Sequence, residues 1–87
     1  MKVSFINANG IEYMAQYDKE NVLFSRQGDH ESKKMVIVEL HYGVITSAKV
    51  IQNKNIINLP TETSVKINAD PHDIVRHYAP ISETTTI

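Results

Sequence analysis

Apolar and polar positions alternate through most of this chain, and β-branched residues supply most of the apolar ones. Isoleucine and valine recur from Val3 and Ile6 to Ile81 and Ile87, whereas leucine occurs only at Leu23, Leu40 and Leu59. β-Branched side chains are stiff about the first torsion and pack well on a pleated surface, so the pattern favours strands over helices. It predicts strands over 3–7, 11–17, 22–26, 34–42, 44–52, 56–59 and 64–68. Asn9-Gly10, between the first two, signals a type I′ hairpin, because both central residues of that turn need positive φ. With that turn Ala8 faces Ile11, Ile6 faces Tyr13 and Phe5 faces Met14. The register sets Ile6, Ile11, Tyr13, Ala15 and Tyr17 on one face and Val3, Phe5 and Met14 on the other. Both faces are then partly apolar, so this hairpin should be covered on both sides, within the fold or by a second subunit.

The clearest strand runs over 34–42, with Val36, Val38, Leu40 and Tyr42 on one face and Met35, Ile37, Glu39 and His41 on the other. Gly43 marks a turn into a partner strand in which Val44, Thr46, Ala48 and Val50 are in phase. Residues 27–33 hold no apolar side chain and read as an exposed loop. Pro60 stops the sixth strand, since proline cannot donate to a ladder. Beyond residue 68 the pattern changes. Asp70 reads as an N-cap, Pro71 as the first helical residue and Asp73 as an acid near the positive end of the helix dipole. Ile74, Val75 and Tyr78 then form a narrow apolar stripe that Pro80 ends. The expected fold is mainly β: a small antiparallel β-barrel or sandwich of six to seven short strands with one short C-terminal helix. A single β-rich domain over 1–80 carries a flexible tail over 81–87.

Composition narrows the chemistry. The chain has 87 residues, no cysteine and a formal net charge of -1. It therefore offers no disulfide framework, thiolate metal site or cysteine nucleophile. Small secreted domains usually rely on such staples, which points to a cytoplasmic protein. No apolar run reaches the ~18 residues of a membrane span, and the start turns polar too soon for a signal peptide. A charge near zero gives no general attraction to nucleic acid. Isoleucine, asparagine and lysine have AT-rich codons, which fits a phage or plasmid origin.

Four histidines are the main source of versatile chemistry, at His30, His41, His72 and His77. His72 and His77 are five residues apart, about 140° around a helix, a poor spacing for shared metal ligation. Asp73 and His77 have the right spacing but need a third ligand such as His41 or Glu39. Glu39 and His41, two apart on one strand face, resemble an acid–base pair, although a polar pair on a solvated sheet explains them as well. Gly10, Gly28 and Gly43 are isolated turn residues, so no phosphate-binding loop exists, and no serine sits in a nucleophile elbow. The chain is therefore read as a non-enzyme that works without cofactor or metal.

Nucleic-acid binding is the alternative. Tyr13, Tyr17, Phe24 and Tyr42 are strand aromatics on which bases could stack, beside Lys33, Lys34, Lys49, Lys54 and Lys66. Interspersed acids dilute any such groove, and the aromatics serve equally well as core. The run from Val65 to Pro71, strand then short helix, resembles small dimeric RNA-binding β proteins of the carbon-storage-regulator type, over too few residues to carry function across. The preferred reading is a small interaction module that binds a protein partner, as a phage- or plasmid-type accessory or inhibitor protein, with homodimerisation as a further option. Its candidate contact residues are His30 in the polar loop, Tyr42 on the spine hairpin, and Arg76 and Tyr78 on the helix.

Overall fold

The computed structural model describes residues 2–28, 34–61 and 67–84. Among these residues six strands run up and down in sequence order: β1 (Lys2–Ala8), β2 (Ile11–Tyr17), β3 (Asn21–Arg26), β4 (Lys34–His41), β5 (Val44–Gln52) and β6 (Asn55–Asn58). Every neighbour pair is antiparallel and the order is β1-β2-β3-β4-β5-β6. β1 and β6 are edges, so the sheet is not closed into a barrel. Nor does the described chain supply a second sheet. The second layer is the helix α1 (Pro71–Thr84), which packs on β1 to β4. Residues 62–66, which include most of the expected seventh strand, lie outside the described residues. Ile67 and Asn68 are not in a strand.

Turn chemistry sets the registers. Asn9 and Gly10 have φ of 55° and 78°, and Ala8 pairs with Ile11, Ile6 with Tyr13 and Phe5 with Met14, as the Asn-Gly signal requires. Asn53 and Lys54, also at positive φ, make the β5–β6 turn in the same way. Between β2 and β3, Asp18 Oδ1 accepts the amides of Glu20 (2.7 Å) and Asn21 (2.8 Å). Those two donors favour its charged form and lower its pKa.

The core lies between the sheet and α1. Ile6, Tyr13, Ala15, Val22, Phe24, Val36, Val38 and Val50 face Ile74, Val75, Tyr78 and Ala79, all essentially buried. Tyr13 and Phe24 meet edge to face, with centroids 6.0 Å apart. The phase expected for β5 holds only at Ala48 and Val50. The register shifts between Glu39 and Leu40, so that Glu39 pairs with Ser47 but Leu40 with Ile45. Thr46 is the extra residue of a β-bulge, and it exchanges Val44 for Ile45 on the core side. Ile45 packs against the core, while Val44 is left 61% exposed.

The helix begins as its sequence predicts. Asp70 Oδ1 accepts the His72 amide (2.7 Å), and the Asp70 carbonyl accepts the Ile74 amide (3.0 Å). It does not end at Pro80. Four further residues continue it, because tertiary contacts hold them there. Ser82 is buried and its hydroxyl donates to the Ala79 carbonyl (2.9 Å), Ile81 packs against the core, and Glu83 accepts a hydrogen bond from the Tyr13 phenol (3.0 Å). Residues 81–84 thus belong to the helix rather than to a tail.

The Tyr13 phenol is pushed up to about 12, first by burial and then by its bond to Glu83. An unfolded chain releases this proton near the ordinary 10.0, while the folded chain holds it to about 12. Between those values the unfolded state binds fewer protons, so stability is complete below the lower value and falls as pH rises through the window. Thermal unfolding between pH 9 and 12 should show this decline. Tyr13→Phe should flatten it, leaving the part due to Tyr78, whose phenol burial also raises.

Candidate interaction surface

Two surfaces stand out among the described residues. The first is the tip of the β4–β5 hairpin. Tyr42 and Gly43 occupy the turn with φ of 50° and 76°. Positive φ at both positions is the type I′ geometry, which suits asparagine or glycine first and penalises a bulky side chain. Tyr42 nevertheless sits there, 93% exposed. Its ring meets the His41 ring edge-on at 4.5 Å, and Val44 is exposed on the far side of the turn. Beside the tip lies an open groove of about 870 Å³, lined by residues 19–21 of the β2–β3 turn and by residues 39–43 with Thr46. Its floor is fixed by the Leu40 amide donating to the Glu20 carbonyl (2.6 Å) and by Thr46 Oγ1 donating to the Glu39 carbonyl (3.3 Å).

The second surface is the sheet face turned away from α1. Alternation and register place Val3, Gln16, Leu23, Ile37, Lys49 and Asn58 on one row across all six strands. A neighbouring row carries Phe5, Met14 and Ser25, and Met35, Ile51 and Ile56 continue it. Phe5 and Ile56 are 56% and 63% exposed, and Leu23, Met35, Ile37 and Ile51 are half-buried. The two-faced apolar hairpin expected from the sequence is thus covered by α1 on one side only.

The four sequence candidates do not assemble into one site. His30 lies outside the described residues. Tyr42 stands on the hairpin tip, and Arg76 is exposed on the outer side of α1. As a contact residue Tyr78 is a correction: its ring is buried in the core, because it belongs to the apolar stripe with Ile74 and Val75 that docks the helix. The stacking platform fares similarly, since Tyr13 and Phe24 are core and Tyr17 is half-buried. Lys33 and Lys66 lie outside the described residues, and Lys49 is paired with Glu39 at 3.4 Å.

The Glu39–His41 pair is not made. Glu39 turns to Lys49 and His41 to the Tyr42 ring, and among the described residues no hydrogen bond or ion pair joins them. Asp73 accepts from the Asn68 amide nitrogen (3.2 Å), and His72 Nδ1 lies 3.1 Å from its own cap, Asp70. Among the described residues no three histidine, aspartate or glutamate side chains converge. No described helix is long and apolar enough to cross a membrane.

Sequence reasoning missed Val44 and the groove. Gly43 flagged the turn, but reading Tyr42 as the last strand residue hid its place as the first turn residue. No family model, curated protein or solved structure matches this chain.

Proposed function

We propose that this protein is a small non-enzymatic interaction module that binds a protein partner through the β4–β5 hairpin tip, with Tyr42 as the anchor. The observation that carries the reading is Tyr42 itself, an almost fully exposed aromatic held at φ 50°. A residue kept in an unfavourable backbone region, making no core contact in return, is a signature of function rather than of stability. Tyrosine is a common binding anchor, because it brings a large, stiff, amphipathic surface with little rotamer entropy to lose. A projecting ring suits an apolar pocket on the partner, and the adjoining groove supplies mixed polar contacts from Lys19, Glu20 and His41. Nucleic acid is the weaker reading, because two of the four strand aromatics that would stack bases, Tyr13 and Phe24, are spent in the core and Tyr17 is half-buried.

Tyr42→Asn tests this. Asparagine visits the left-handed region routinely, so the variant should be more stable than the wild type by about 1 kcal/mol, read from chemical denaturation. The same change should abolish capture of the partner. Wild type and variant are used as baits in lysate of the cells that encode the protein, in nuclease-treated and untreated halves, with mass-spectrometric readout. A protein held by the wild type in both halves and lost by Tyr42→Asn is the expected result. Equal capture by the variant, or capture that vanishes with nuclease, overturns the proposal.

A further inference from the structure

The outer face of the sheet has an area, a chemistry and a shape that fit one occupant. We infer that a second copy of this chain covers it, giving a face-to-face homodimer in which two six-stranded sheets form a sandwich with the α1 helices outside. This interface does not involve the Tyr42 anchor, so it stands or falls separately from the partner-binding proposal.

Area is the first argument. Six strands about 4.8 Å apart and about seven residues long span roughly 25 Å by 23 Å, or ~600 Å² in projection. The molecule's principal extents of 31 × 25 × 23 Å leave room for a face of that size. Side chains raise the accessible area above the projection, so each copy has close to the ~800 Å² that a standard interface buries per partner.

Charge is the second. Lys49 and Glu39, the charges near the middle of the face, neutralise each other at 3.4 Å. The middle of the face therefore has no single sign to select an oppositely charged partner. The chain's net charge of -1 puts little long-range repulsion between two copies. Apolar content is the third. Leu23, Met35, Ile37 and Ile51 crowd the centre of the face while Val3, Phe5 and Ile56 flank it, more than half exposed. An isologous two-fold contact brings such a patch onto itself, and aligned sheets interdigitate their inner side chains about 10 Å apart.

Sedimentation equilibrium from about 1 to 200 µM tests the inference on the wild type, Phe5→Glu and Leu23→Lys, each checked for native circular dichroism. The wild type should be dimeric in the upper part of that range. Phe5→Glu changes a side chain that is already half exposed in the monomer, so it should fold. Because a two-fold contact contains each substitution twice, it should raise the dissociation constant at least about 100-fold, as losing two anchor contacts does. Leu23→Lys should act in the same direction. A wild-type protein that remains monomeric at 200 µM overturns the inference. So does a dimer that persists unweakened in folded Phe5→Glu, since association would then use another surface such as the β1 edge.

Discussion

Ile74→Asp should cost this domain at least about 4 kcal/mol of stability. Ile74 has no exposed surface and lies in the helix stripe with Val75, Tyr78 and Ala79, against side chains of the sheet. The substitution loses about 1.5–3 kcal/mol of apolar burial. It also forces a carboxylate either into that contact or out of it with the helix attached. Together these amount to at least about 4 kcal/mol, comparable to the whole stability of a domain this size, roughly 4–13 kcal/mol. The effect spreads beyond the helix because α1 is the cover for β1 to β4. Arg76→Asp, on the outer side of the same helix, should change stability by less than about 0.5 kcal/mol. Urea denaturation followed by far-ultraviolet circular dichroism reads both. A native-like transition for Ile74→Asp would mean that α1 is not docked as described.

Phe24→Ala should cost about 3–5 kcal/mol. Phe24 is central on β3, 1% exposed, and its ring stacks edge-to-face on Tyr13. Truncation loses the ring's burial, leaves a cavity that a pleated backbone cannot collapse to fill, and removes an aromatic pair worth about 0.5–1.5 kcal/mol. Phe5→Ala changes the same residue type on the opposite face. Measured at low micromolar concentration, where a weak dimer is dissociated, it should cost less than about 1 kcal/mol, because Phe5 is 56% exposed. The urea midpoint should fall steeply for the first and little for the second, with the slope unchanged in both. Equal losses would mean that both sheet faces are covered in the monomer.

The contrast between these two phenylalanines marks the limit of what alternation can reveal. Phe5 and Phe24 both sit in short alternating strands, and nothing local separates them. Register says only that they lie on opposite faces. Which face receives the helix depends on where the chain returns after residue 67, a long-range choice that no period-2 pattern encodes. The same holds at Pro80. Local propensity ends a helix there, but the buried Ser82 and the Tyr13–Glu83 bond, joining residues seventy positions apart, carry it on to Thr84. The candidate surface was half legible. Tyr42 was singled out, though as a strand residue, and its exposure became evident only once the turn placed it at φ 50°.

By itself the sequence determined six of the seven expected strands, the Asn9-Gly10 turn with its register, and the start of the helix at Asp70-Pro71. Each is set by torsional and hydrogen-bonding preferences that act within a few residues. The tertiary structure alone decided that the sheet stays open, that the Thr46 bulge trades Val44 for Ile45, and that one apolar face is left without cover from α1. Those outcomes depend on which distant surfaces meet, and burial is shared among residues far apart in the chain.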